Sequence, residues 1–120
     1  MISDDLDALQ ARFPACGTLA YADVSTGTVL VTNSATPLER HGLNQIGAEA
    51  ALLFRADGEP LLGMAPARLA LVSTQDAIRI FLRSDSEPND GLLCVGEPGL
   101  DLARFLPEAR ACLARIGEQD

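Results

Sequence analysis

Three cysteines and a single histidine are the side chains best suited to covalent or metal chemistry in this chain of 120 residues. His41 with Cys16, Cys94 or Cys112 would make a thiolate–imidazole pair if the fold brought them within hydrogen-bond reach. Nothing in their spacing asks for it. There is no CxxC and no second histidine, so a zinc site has no ligand set, and an odd cysteine count argues against a disulfide framework. The three cysteines read as small buried apolar residues. His41 falls in the opening turns of a predicted helix, where a solvated or interface imidazole is the simpler reading. Glu49, set among apolar residues, would have a raised pKa if buried alone. Reaching an arginine or solvent is the plainer expectation.

Two loops invite ligand readings and fail them. Asp85-Ser86-Glu87-Pro88-Asn89-Asp90-Gly91 alternates oxygen-bearing residues as a calcium loop does, but such a loop needs glycine sixth and glutamate twelfth. Here glycine is seventh and position twelve is Gly96. Gly96-Glu97-Pro98-Gly99 precedes a helix, whose N-terminus favours anions, yet Glu97 and Asp101 would oppose one. Both segments read as turns. No cofactor, metal or catalytic residue is expected.

Composition narrows the field further. All nine basic residues are arginine, which excludes a P-loop lysine, a Schiff-base lysine and a Ser-Lys dyad. A net charge of −8 would repel nucleic-acid phosphates and anionic membrane surfaces. The opening Met1-Ile2-Ser3-Asp4-Asp5 lacks the basic start of a secretory signal, and no apolar run is long enough to span a bilayer. A cytoplasmic location and no membrane insertion are the resulting expectations. The length suits one domain, 1–120, large enough to hold a core without staples. Counting its ten glycines, the apolar share is about 55%, against a usual ~45–50%.

The elements that must position these residues follow from periodicity. Ser3 is a predicted cap for a first helix, with Asp4 and Asp5 in its first turn, Leu6, Leu9 and Phe13 at helical spacing, and Pro14 ending it. Thr18 onward alternates as a strand, Asp23 to Gly27 turns, and Thr28 to Thr32 returns. Thr36-Pro37-Leu38-Glu39 predicts a capping box opening a second helix that runs to about Arg55. Glu59 to Pro66 is a Gly/Pro-punctuated connection. Arg68 to Ser73 and Ala77 to Arg83 form two strands, the latter alternating Ile78, Ile80 and Leu82 against Arg79, Phe81 and Arg83. Gly91 to Val95 is a fifth strand. A last helix carries the stripe Leu102, Leu106, Ala109, Leu113 and Ile116, with Pro107 removing one backbone bond. The order is α-β-β-α-β-β-β-α, an α+β fold with one antiparallel sheet.

That order, together with the hairpin Cys16-Gly17-Thr18-Leu19-Ala20-Tyr21-Ala22-Asp23-Val24-Ser25-Thr26-Gly27-Thr28-Val29-Leu30 and the capped Ala-rich second helix, resembles the roadblock/LC7 family. The resemblance implies a profilin-like α/β sandwich, a five-stranded antiparallel sheet with helices on both faces. It also implies a non-catalytic regulatory or scaffolding module. Members form homodimers through the third strand and the second helices, and the assembled surface binds small Ras-like GTPases or trafficking complexes. In this chain those parts are Arg68 to Ser73, with Leu69, Leu71 and Ser73 at the seam, and Pro37 to Arg55.

The second helix supports a contact on its own terms. Leu43, Ile46, Ala50, Leu53 and Phe54 make one packing face, while His41, Gln45, Ala48 and Leu52 form a second stripe roughly opposite. Gly42 and Gly47 each cost about 1 kcal/mol against alanine in a helix interior, which close backbone approach would explain. An alternative function is a small-molecule sensor of profilin-like fold, needing an apolar pocket with convergent polar groups. A Cys/His41 enzyme is the third reading.

Overall fold

A computed structural model describes residues 1–55 and 68–119. The connection expected over Glu59 to Pro66 lies outside the described residues. The elements are α1 (Ile2–Arg12), β1 (Cys16–Asp23), β2 (Thr28–Thr32), α2 (Arg40–Arg55), β3 (Leu69–Ser73), β4 (Ile78–Arg83), β5 (Asp90–Gly96) and α3 (Leu102–Glu118). The strands form one antiparallel sheet in the order β2-β1-β5-β4-β3. The succession of elements read from the sequence is the succession observed along the chain, and the α+β expectation of one five-stranded antiparallel sheet holds.

Strand alternation divides the interior into two layers. Leu19, Tyr21, Ile78, Ile80, Leu82, Leu92 and Cys94 face α1 and α3, where Leu6, Leu9, Phe105, Ala109, Cys112 and Ile116 meet them. Phe13 and Phe105 pack edge to face with centroids 5.2 Å apart, joining the end of α1 to α3. On the other side Ala20, Ala22, Phe81 and Leu93 lie beneath Ile46, Ala50 and Phe54 of α2. The small residues of β1 let α2 approach closely. All five residues of the predicted packing face of α2 join this layer.

The first hairpin closes as its residues dictate. The Asp23 carboxylate accepts from Ser25 N at 2.9 Å and Thr26 N at 3.4 Å, and Gly27 takes φ +79°, the left-handed conformation glycine adopts without strain. The Ser25 hydroxyl also donates to Asp23 and holds its carboxyl below the usual range.

Two predicted caps are corrected. Ser3 lies inside α1, and Met1 is the cap residue: its carbonyl accepts from Asp4 N at 3.1 Å. The capping box at Thr36 does not form, because α2 begins four residues later, at Arg40. The Thr36 hydroxyl shares a 2.9 Å hydrogen bond with that of buried Thr18 and accepts from Leu38 N at 3.3 Å. These bonds make a turn in place of a first helical turn. Buried Asn33 braces the same region, accepting from Leu19 N and donating to Gly17 O at 3.0 and 3.1 Å. In α3, Asp101 caps by accepting from Arg104 N.

Candidate interaction surface

The outer edge of β3 is set by hydrogen-bond parity. In an antiparallel pair, alternate residues exchange both backbone bonds with the neighbour and those between point both groups away. Arg83 N donates to Arg68 O at 2.8 Å, and Thr74 N donates to Ala77 O at 2.9 Å. With Ala70 opposite Phe81 and Val72 opposite Arg79, the even-numbered residues bond to β4. Leu69, Leu71 and Ser73 therefore turn three N–H and three C=O groups outward. Among the described residues no strand pairs with that edge. An unpaired row of this kind is a template for another strand.

The expected second stripe of α2 is exposed along its whole length: His41, Gln45, Ala48 and Leu52 all face away from the sheet. Leu52 is 69% exposed. The stripe carries no carboxylate, and the acidic residue nearest to it in the helix, Glu49, is committed elsewhere. Arg79 Nε and Nη2 donate to its two oxygens at 2.6 and 3.0 Å, and this bidentate bond raises the pKa of Arg79. Beside the pair is a hollow of about 390 Å³, with Gln45 and Ile46 on one wall and Val95 on the sheet side.

The predicted interface residues do not form one patch of side chains. Leu69, Leu71 and Ser73 share the α1/α3 side of the sheet, since Leu71 lies opposite Ile80, whereas the α2 stripe belongs to the other side. What β3 offers on the α2 side is Ala70 and Val72, both only partly buried, which sequence reasoning missed. The alternation of Arg79, Phe81 and Arg83 against the isoleucines was the signal that would have placed them. α2 itself lies over β2 and β5, so among the described residues this part of the sheet is less fully covered.

Gly47 does not require close helix contact between subunits. A Cβ on Gly47 would collide with the Gly27 carbonyl oxygen, and one on Gly27 would lie 2.8 Å from the Gly47 oxygen. The glycine in α2 is thus explained within one chain, by a helix resting on the β1–β2 turn. Gly42 meets only the Leu38 side chain, at 3.3 Å.

The covalent alternative has no geometry. Cys16, Cys94 and Cys112 are free and buried in the layer between the sheet and α1/α3. His41 is exposed on the opposite side, so the sheet separates them. Burial pushes the Cys94 and Cys112 thiols up, away from the reactive thiolate. Among the described residues no helix is long and apolar enough to cross a membrane.

Comparison with solved structures decides the fold. The roadblock/LC7 domain from Streptomyces avermitilis superposes with a TM-score of 0.82 at 15% identity, over 98% of this chain and 95% of that one. The fold is that of a roadblock/LC7 domain. MglB of Myxococcus xanthus matches with a TM-score of 0.78 at 14% identity, over 99% and 96% of the two chains. A profilin, LokiProfilin1, solved in complex with rabbit actin, matches at 0.67 and 10% identity over 99% and 96%. No family sequence model and no curated protein matches the chain. At such identities the roadblock/LC7 likeness is one of architecture, and the outward β3 edge and exposed α2 stripe are features of this chain's own described residues.

Proposed function

We propose that this chain is a non-catalytic, homodimeric regulatory module of the cytoplasm, one domain per subunit, whose partner is a small Ras-like GTPase or a related signalling protein. The observation that carries the reading is the outer edge of β3. Its three outward N–H and C=O pairs would join the same strand of a second copy antiparallel, making one ten-stranded sheet. A two-fold axis through Leu71 sets Leu69 opposite the partner's Ser73. On the α2 side it places Ala70 against the partner's Val72. The two α2 helices would then stand on the same face of the joined sheet, one on each side of the seam. The exposed Leu52 and Ala48 give that face apolar area for a contact, and the stripe's lack of carboxylates avoids like-charge repulsion in an acidic protein.

The GTPase is expected from resemblance to the roadblock/LC7 family, and another of the matched structures is described as MglB with tetrameric arrangement. Leu71→Pro tests the dimer selectively. Leu71 N–H points outward, so proline there removes one intersubunit donor and no β3–β4 bond. In sedimentation equilibrium the variant should be monomeric and folded where the wild type is dimeric. Val72→Pro, which loses a bond to β4, should disrupt the sheet. A Leu71→Pro protein that dimerises as tightly as wild type would refute the β3 seam. Failure of the dimer to retain any small GTPase from the same cell would refute the partner.

A further inference from the structure

The arginines of this chain are exposed or matched to a carboxylate, with one exception among the described side chains. Arg12, Arg68, Arg79 and Arg115 lie within ion-pair distance of Glu108, Asp85, Glu49 and Asp5. Arg40, Arg104 and Arg110 are exposed. Arg83 is partly buried and meets no carboxylate among the described residues. Its guanidinium carbon stands 4.5 Å from the centre of the Phe54 ring, and Nη2 donates to Phe54 O at 3.2 Å. Nε is buried without a hydrogen-bond partner, and Nη1 makes no hydrogen bond among the described residues. A cation removed from water so far and left so incompletely matched is poised to gain from an anion.

The space beside it is shaped for one. A pocket of about 240 Å³ opens between the β1–β2 turn, the end of α2 and the loop from β4 to β5. Val24, Ala51, Phe54 and Pro88 supply apolar walls, and Asn89 adds an amide whose side chain has no hydrogen bond within the described protein. The Asn89 carbonyl accepts from Val24 N at 2.7 Å, which fixes the loop that carries it. Ser25, also on the rim, is held by the Asp23 carboxylate. That nearby negative charge, the single cation and the apolar walls disfavour a phosphate, which is multiply charged and strongly hydrated. They suit a monoanion on a flat apolar body.

We propose that this pocket binds a small amphipathic carboxylic acid of about benzoate's size. Its carboxylate pairs with the Arg83 guanidinium and accepts from the Asn89 amide, while its ring or branched alkyl group lies along Phe54, Ala51 and Pro88. This site lies apart from the β3 edge and does not depend on self-association.

Titration of the intact protein with sodium benzoate, followed by NMR at the Arg83 Nε–H resonance, tests the assignment. Benzoate should give a saturable shift there and at the Asn89 amide. Benzamide, acetate and inorganic phosphate should each bind at least about tenfold more weakly, lacking the charge, the ring or the fit. Arg83→Gln, read at the Asn89 amide, should abolish the shift. Asn89→Asp places a carboxylate in the pocket without touching the helix contact of Arg83, and should weaken benzoate at least about tenfold. No saturable shift, equal response to acetate or benzamide, or undiminished benzoate binding by Asn89→Asp would each overturn the proposal.

Discussion

Gly47→Ala isolates the contact that seats α2 on the sheet. In an exposed helix interior the change would stabilise by about 1 kcal/mol, because alanine loses less backbone entropy. Here the new methyl meets the Gly27 carbonyl, with Val29 Cγ2 a further neighbour at 3.6 Å. Both colliding partners are main chain, one in a helix and one in a turn fixed by Asp23, so neither side can yield by rotating a side chain. Overpacking of this rigid kind belongs at the upper end of the range, about 3 kcal/mol, leaving a net loss of about 2 kcal/mol. For a domain of this size that lowers the melting temperature by about 8 °C. Gly42→Ala is the control: its methyl meets only the Leu38 side chain, which can move, so stability should hold or rise by up to about 1 kcal/mol. Circular-dichroism melts at one fixed subunit concentration measure both, since association makes the midpoint depend on concentration. A Gly47→Ala protein melting at or above wild type would refute the seating of α2 on the turn.

Two further predictions concern charge. Glu49→Gln removes the carboxylate from a pair whose side chains are only 26% and 30% exposed, and should cost about 1 kcal/mol in urea unfolding. Asp7 accepts from Ser34 N at 2.6 Å and Ser34 Oγ at 2.7 Å, bonds that lower its pKa, the backbone one most. A depressed carboxylate pKa adds stability above its unfolded value, and that contribution disappears as pH falls through the folded value. Ser34→Ala should therefore weaken the protein near neutrality and show a smaller loss of stability on acidification below about pH 4 than wild type does.

The sequence announced the architecture because each element had a period and a stop. The two-residue alternation of Ile78, Ile80 and Leu82 with Arg79, Phe81 and Arg83 maps onto the two core layers. Asp23 and Gly27 likewise made the first turn legible. The start of α2 was not legible, since Thr36 has the spacing of a capping box but spends its hydroxyl on Thr18, a tertiary contact outside any local window. Gly47 misled for the same reason: its partner, Gly27, lies twenty residues away in another element. On β3 the segment was legible, but the backbone parity that turns Leu69, Leu71 and Ser73 outward depends on the pairing with β4. The Arg83 pocket gathers four separate segments and left no motif.

Amide hydrogen exchange along β3 tests the central claim most directly. Ala70 and Val72 bond within the chain and should be protected at any concentration. If β3 joins the same strand of a second copy, Leu69, Leu71 and Ser73 lie in that seam, and outward amides paired there should be nearly as protected at high concentration and lose that protection on dilution. Fast, concentration-independent exchange at all three of those residues, with Ala70 and Val72 protected, would contradict a dimer joined through this edge.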